Sequence, residues 1–294
     1  MSSLFKGAAT ALITPLKDDK IDFEALERLL NMQLNAGINA LVINGTTGEP
    51  TTMTHAERTA VAKYAIKKVN GRAPVIIGTG SNNTYTAIEY SQEAEQLGAD
   101  GILIVTPYYN KTTQEGLVVH YKAIADKVGI PIILYNVPSR TGLNMLPETV
   151  AKLAGYRNIS AIKEASGSIT QMMDIVRLCG NEIDLMSGED GLIYPCFSVG
   201  GVAVISVASN IIPEYVVNMA KEYFSGNAAK CLQMQFDMTE LVKALFCEVN
   251  PIPVKTAAAL MGLCTDYMRL PLIKMQKIEQ LKTAMRNFGI NFKE

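Results

Sequence analysis

A lysine lies inside a short apolar run of this chain: Lys163 is part of Ile159–Glu164, with the sequence ISAIKE. This run predicts a buried strand. An isolated ammonium group is costly there, so burial lowers the pKa of the amine unless the charge finds a partner. A neutral lysine amine attacks carbonyl groups and is the nucleophile of Schiff-base enzymes. The alternative is a lysine that reaches solvent or forms a salt bridge, for instance with Glu164, although strand alternation places Glu164 on the opposite side.

Further polar groups follow other apolar runs. The segment Gly45–Glu49, GTTGE, offers backbone N–H groups to a carboxylate and hydroxyls that can relay protons. Tyr135 has the strand parity of Ile133, which predicts that it enters the core beside the strand of Lys163. Arg140 follows in the next loop, where a guanidinium can hold a carboxylate through two hydrogen bonds. Taken singly, these features also fit an ordinary turn, a core tyrosine and a solvated arginine. Their joint placement predicts an enzyme that acts on a small 2-oxo acid.

Apolar, β-branched runs recur along the chain at about the length of one βα unit. They favour an α/β fold, a (β/α)8 TIM barrel, in which the active site lies at the carboxyl ends of the strands. A doubly wound open sheet is the weaker alternative, because the sequence has no glycine fingerprint for a dinucleotide. The eight runs are Ala9–Thr14, Ala40–Gly45, Pro74–Gly80, Gly101–Pro107, Pro131–Val137, Ile159–Lys163, Asp184–Gly188 and Val202–Val207.

Helix signals lie between these runs. Capping-box patterns occur at Thr54–Glu57 and Ser168–Gln171. Prolines suit the first turns of two predicted helices, and glycines follow the ends of three others. These residues are Pro147, Pro213, Gly37, Gly98 and Gly129.

The last part of the chain has helical periodicity and no further strand run. We expect helices over Asn227–Phe246, Pro253–Met261 and Leu272–Phe288. The predicted organisation is a barrel over residues 1–225 and a C-terminal helical extension, packed on the barrel, over residues 226–294.

Composition argues against several classes of function. The chain has 294 residues and a formal net charge of −1, which argues against a nucleic-acid partner. No apolar stretch approaches the ~20 residues of a membrane-spanning helix and no signal-peptide pattern is present, so we expect no membrane association and a cytoplasmic location. The chain has five cysteines and no Cys-x-x-Cys pair. An odd number of cysteines without a signal-peptide pattern is typical of proteins in a reducing compartment. The two histidines are not clustered, and we expect neither a metal nor an organic cofactor.

Together these motifs resemble the pyruvate-dependent Schiff-base aldolase and lyase family, which includes dihydrodipicolinate synthase and N-acetylneuraminate lyase. The resemblance covers nearly the whole chain, and several motifs in one order make it specific. The matching segments are Gly45–Glu49, Tyr135–Pro138, Ile162–Gly167 and Asn250–Lys255. The resemblance implies that Lys163 forms an imine with pyruvate and that no cofactor is required.

The resemblance also implies roles for the other site residues. Tyr135 would be the principal proton donor and acceptor. Thr46 and Tyr109 would complete a proton relay, with Tyr109 reaching the site of a neighbouring subunit. Backbone groups of Thr46 and Thr47 would hold the carboxylate of pyruvate. The imine pocket would be lined by Gly188 and Ile205. The family is usually a homotetramer, a dimer of dimers.

Two features favour the synthase branch of this family over the lyases. The pair Thr46-Thr47 stands where lyases typically have Ser-Thr, and lyases lack the arginine found here as Arg140. The second substrate of the synthase, L-aspartate 4-semialdehyde, carries a carboxylate that Arg140 would bind. The alternatives are an aldolase or lyase acting on a sugar-derived 2-oxo acid, and a non-catalytic barrel that binds a small acid.

Some family members are inhibited by lysine in a cleft at a dimer interface. Asn82, His55 and Tyr108 match positions of that cleft. Thr86, however, replaces the glutamate that holds the lysine ammonium group, and Arg58 adds a positive charge. The resemblance therefore predicts weak or absent inhibition by lysine.

Overall fold

The computed structural model describes residues 4–292 and confirms the predicted barrel. Its strands within these residues are β1 Gly7–Ala11, β2 Leu16–Lys17, β3 Lys20–Ile21, β4 Ala40–Ile43, β5 Val75–Gly78, β6 Gly101–Val105, β7 Ile132–Asn136, β8 Ile159–Glu164, β9 Asp184–Ser187 and β10 Ala203–Ser206. Eight of them, all except β2 and β3, are parallel and close into a barrel in the order β1-β10-β9-β8-β7-β6-β5-β4. Each barrel strand overlaps a predicted run. Several, such as β1 and β7, are buried along their whole length, as expected for strands covered on both faces.

Helices follow the barrel strands along the chain. They are α1 Phe23–Asn35, α2 His55–Val69, α3 Thr84–Gln96, α4 Gln114–Ala125, α5 Pro138–Thr141, α6 Pro147–Leu153, α7 Ile169–Cys179, α8 Ile193–Ser198 and α9 Pro213–Phe224. The later helices are α10 Ala228–Asp237, α11 Thr239–Leu245, α12 Ile252–Leu260 and α13 Ile278–Phe288. Among residues 4–292, none of these helices is long and apolar enough to cross a membrane.

One of the two predicted capping boxes is complete. Thr54 Oγ1 accepts from the backbone N–H of Glu57 at 3.3 Å, and Glu57 Oε2 accepts from the backbone N–H of Thr54 at 2.8 Å. At the start of α7, Ser168 Oγ accepts from the backbone N–H of Gln171 at 3.1 Å, but the side chain of Gln171 bonds elsewhere. The prediction of a complete capping box at the start of α7 is therefore wrong.

The proline and glycine signals are confirmed with one exception. Pro147 and Pro213 occupy helical first turns, and Gly37 and Gly98 follow helix ends with positive φ. Gly129 does not end a helix in this way. It lies beyond α4, which ends at Ala125, and its N–H donates to the side chain of an α3 glutamate.

Two of the three predicted C-terminal helices are shorter than expected, whereas the helix expected over Pro253–Met261 is found within one residue, as α12. The expected helix Asn227–Phe246 is divided into α10 and α11, where the Thr239 hydroxyl donates to the carbonyl of Gln235, a local bond that bends helices. The last helix begins at Ile278 rather than Leu272. Before it, the backbone N–H groups of residues 276 and 277 are taken by the carboxylate of Glu248.

Sequence patterns gave no indication of a small hairpin after β1. Strands β2 (Leu16–Lys17) and β3 (Lys20–Ile21) pair antiparallel. Asp18 and Asp19 form the connection with φ of 49° and 61°. Positive φ at both central positions is the geometry of a type I′ hairpin turn, which aspartate tolerates.

Contacts divide the described chain into two compact units. Unit 1 comprises residues 4–7 and 74–205, and unit 2 comprises residues 8–73 and 206–292. Within unit 2, α10 packs against α9, and α11 packs against α13. The boundary predicted between residues 225 and 226 stays a prediction.

Candidate active site

Lys163 lies in unit 1, near the carboxyl end of β8. Its side chain is 5% exposed. In the parallel pairing of β7 and β8, Tyr135 is the register partner of Lys163, as strand parity predicts. The amine Nζ lies 4.3 Å from the centroid of the Tyr135 ring. A buried amine and a phenol ring are therefore in contact.

Lys163 is not the charge partner of Glu164. The carboxylate of Glu164 instead accepts hydrogen bonds from neutral donors, among them Asn136 and Gln171. Burial, the largest effect, lowers the pKa of Lys163 to about 8. The carboxylate of Asp190 opposes this shift, and the positive charge of Arg140 adds to it. The amine is thus neutral far more often than an ordinary lysine near pH 7.

Gly188 leaves room for the lysine side chain. A Cβ atom at this position would lie 3.1 Å from Cε of Lys163 and 2.7 Å from Cβ of Ala165. The second distance is shorter than real side chains tolerate, so any larger residue would force Ala165 or the backbone to move. The structure therefore brings Gly188 against Lys163.

In unit 1, Ile205 is buried in a strand, whereas Arg140 lies exposed in a short helix. Ile205 is fully buried in β10, which pairs with β9. Arg140 lies in the short helix α5 after β7 and is exposed. Its positive charge contributes to lowering the pKa of Lys163.

Tyr109 is not brought to Lys163 within one chain. Its side chain is 92% exposed after the end of β6. Its φ is +70°, which is uncommon for an aromatic residue and strains the backbone.

The GTTGE segment lies in unit 2 and forms a tight turn after β4. Thr46–Gly48 is a single 3-10 turn, followed by Glu49 with a φ of 57°. A Cβ at Gly48 would lie 3.1 Å from Thr14 Oγ1 and 3.2 Å from the carbonyl oxygen of Leu12, so this position favours glycine. Thr47 is buried, whereas Thr46 is half-buried.

Two buried residues near the end of the chain hold this turn. The Nζ of Lys255 lies 2.5 Å from Glu49 Oε1, and both side chains are almost fully buried. Asn250 Nδ2 donates to Thr47 Oγ1 at 3.0 Å. Sequence reasoning did not assign these contacts. A signal was present, because Lys255, like Lys163, follows an apolar stretch.

No group of three or more histidine, cysteine, aspartate or glutamate side chains in residues 4–292 is arranged to hold a metal ion. All five cysteines are free thiols.

Comparisons with known proteins identify the family of this chain. A model of the dihydrodipicolinate synthetase family matches residues 4–286. The 4-hydroxy-tetrahydrodipicolinate synthase of Caldicellulosiruptor bescii is 52% identical over 99% of this chain and 100% of its own. That of Clostridium novyi is 48% identical over 99% of each chain. The crystal structure of dihydrodipicolinate synthase from Thermotoga maritima covers 98% of this chain and 99% of its own, with 43% identity and a TM-score of 0.96. The chain belongs to the dihydrodipicolinate synthetase family.

Proposed function

We propose that this chain condenses pyruvate with L-aspartate 4-semialdehyde to give 4-hydroxy-tetrahydrodipicolinate, the committed step of lysine biosynthesis through diaminopimelate. The observation that carries the proposal is the buried amine of Lys163, with its lowered pKa and its contact with Tyr135. Membership of the family supports this pair of substrates.

The reaction begins at Lys163. Its neutral amine adds to the ketone of pyruvate, and loss of water gives an imine. Loss of a proton from the methyl group converts the imine into an enamine, whose carbon attacks the aldehyde of the second substrate. The amine of that substrate then displaces Lys163 by transimination, which closes the ring and restores the free lysine.

Tyr135 is proposed as the principal proton donor and acceptor for these steps. Its ring lies against the amine that forms and releases the imine, which supports the assignment. Thr46 is assigned with it to a proton relay, and backbone groups of Thr46 and Thr47 are assigned to the carboxylate of pyruvate. Gly188 supports a close-fitting imine pocket, because it leaves space beside Lys163. Ile205 is assigned to the same pocket.

Arg140 is proposed to bind the carboxylate of aspartate semialdehyde. An exposed guanidinium on α5, close enough to lower the pKa of Lys163, supports this role. A guanidinium can hold a carboxylate through two parallel hydrogen bonds, so it fixes the orientation of the aldehyde as well as its affinity.

We further propose a homotetramer, a dimer of dimers, in which Tyr109 completes the proton relay of a neighbouring subunit. Its high exposure and strained backbone support this role, because strain persists where a function requires it. A cytoplasmic location is also proposed, and the free state of all five cysteines supports it.

Reduction with borohydride in the presence of pyruvate tests the chemistry directly. The imine is trapped as a stable secondary amine, and peptide mass mapping should place the added mass on Lys163. The Lys163→Arg variant should take up none. Absence of the adduct from the unmodified chain would exclude the Schiff base. Turnover with aspartate semialdehyde then tests the second substrate.

A further inference from the structure

A buried carboxylate beside Lys163 in sequence has no part in the proposed chemistry. Glu164 ends β8 and is fully buried. Its Oε1 accepts from the backbone N–H of Ser166 at 2.7 Å. Its Oε2 accepts from Asn136 Nδ2 at 3.0 Å and from Gln171 Nε2 at 3.1 Å. Hydrogen bonds to both oxygens hold this carboxylate in one orientation.

Asn144 connects this carboxylate to the segment that carries Arg140. Asn144 Oδ1 accepts from Asn136 Nδ2 at 2.8 Å and from Gln171 Nε2 at 3.1 Å. Asn144 Nδ2 donates to Gln171 Oε1 at 2.9 Å. We call these residues the amide–carboxylate cluster: Asn136, Asn144, Glu164 and Gln171. The cluster joins β7, β8 and α7 to Asn144, which lies in the loop over residues 137–146.

The loop is fixed at further points. The backbone N–H of Met145 donates to Asn136 Oδ1 at 2.9 Å. Gln114, the first residue of α4, donates from Nε2 to the carbonyl of Asn144 at 2.8 Å and accepts from the backbone N–H of Leu146 at 3.1 Å. The loop over residues 137–146 therefore has its carboxyl end held by side chains on both flanks, whereas Arg140 within it is exposed.

We propose that the amide–carboxylate cluster positions Arg140 to bind the carboxylate of the aldehyde substrate. The inference rests on the proposed function, because it takes Arg140 as the residue that binds this carboxylate. The cluster ties the loop to the ends of the strands that carry Tyr135 and Lys163. It therefore sets the distance between the guanidinium and the reacting amine. A displacement of ~1 Å in such a group can lower a rate by ~100-fold.

The test is a pair of substitutions with a split readout. Asn144→Ala removes the three side-chain hydrogen bonds that join Asn144 to the rest of the cluster. The backbone bond from Met145 to Asn136 remains. The substitution should raise the KM for aspartate semialdehyde about tenfold, through misplacement of Arg140, and leave the KM for pyruvate and the borohydride adduct within about twofold. The matched control is Asn158→Ala at the opposite end of β8. Asn158 donates to the carbonyls of Val128 and Ile130 at 3.0 and 2.6 Å, and its loss should change neither KM.

A double-mutant cycle distinguishes positioning from a general structural effect. In the Arg140→Ala background, Asn144→Ala should raise the KM for the aldehyde no further, because the two changes remove one interaction. Additive effects would overturn the inference while the role of Arg140 stands. If Arg140→Ala alone leaves that KM unchanged, the proposed role of Arg140 fails first. Should Asn144→Ala not fold, Gln171→Met enters the same cycle, because it removes two of the three hydrogen bonds between Asn144 and the rest of the cluster.

Discussion

The reactivity of Lys163 depends on three separable influences. Burial is the largest and lowers the pKa of the amine to about 8. The negative charge of Asp190 raises this pKa, and the positive charge of Arg140 lowers it. The two charges belong to side chains other than the nucleophile, so each can be removed while the amine remains in place.

The rate of imine formation with pyruvate should follow the neutral fraction of Lys163. Below pH 8 the amine is mainly an ammonium ion, so the rate should rise about tenfold per pH unit and level off above pH 8. Asp190→Asn should move the plateau to lower pH, because it removes the charge that stabilises the ammonium. Arg140→Ala should move it to higher pH. The rate of borohydride trapping across a pH series measures both shifts. Shifts in the same direction would contradict the assignment of these charges.

A buried ion pair links the GTTGE turn to α12. Burial raises the pKa of Glu49 and lowers that of Lys255, and the attraction between them opposes both shifts. Glu49 Oε2 has no hydrogen-bond partner among the described residues. The charge of Glu49 therefore depends on Lys255 for its compensation.

Lys255→Met should destabilise the chain strongly. Removal of one partner leaves a buried charge without compensation, which lowers the free energy of unfolding by ~3–5 kcal/mol. Adding Glu49→Gln should recover much of this loss, because the uncompensated charge is removed. Denaturant unfolding followed by circular dichroism measures both. Lys243→Met, which breaks the exposed pair with Glu240, serves as the control and should have a much smaller effect. A double variant as unstable as Lys255→Met would exclude the uncompensated charge as the cause.

Local sequence patterns predicted the helices and strands better than they predicted the interaction partners of individual side chains. Strand alternation correctly placed Lys163 beside Tyr135 and turned Glu164 away from it. The sequence could not distinguish an ion-paired lysine, Lys255, from the proposed nucleophile, Lys163, because both belong to apolar stretches. The partner of Lys255 lies 206 residues away along the chain. Similarly, the capping-box pattern assigned Gln171 a local partner, whereas tertiary structure directs its side chain to Glu164. Pairings across long separations depend on the closed barrel and have no local signal.

Lysine should inhibit turnover weakly or not at all, because Thr86 offers no carboxylate to an ammonium group and Arg58 is positively charged. Initial rates measured with added lysine test this expectation. Thr86→Glu supplies the missing carboxylate and should increase sensitivity to lysine. Inhibition of the unmodified enzyme by submillimolar lysine would show that another group holds the effector.

The role proposed for Tyr109 would make assembly a condition of activity. An exposed tyrosine that serves a neighbouring site implies that a separated subunit has an incomplete proton relay. The Tyr109→Ala and Lys163→Ala variants should each be nearly inactive as homo-oligomers, for different reasons. The first lacks the relay in every site, and the second lacks the nucleophile.

Mixing these two variants should restore activity. In a mixed dimer, the Lys163→Ala subunit supplies its intact Tyr109 to the partner that still has Lys163, so one of two sites is complete. Random reassembly makes about half of the dimers mixed, and the expected activity is therefore about one quarter of that of the unmodified enzyme. Turnover after joint unfolding and refolding of equal amounts measures it. If Tyr109 served its own chain, no mixture would contain a complete site and activity would stay at the level of the separate variants.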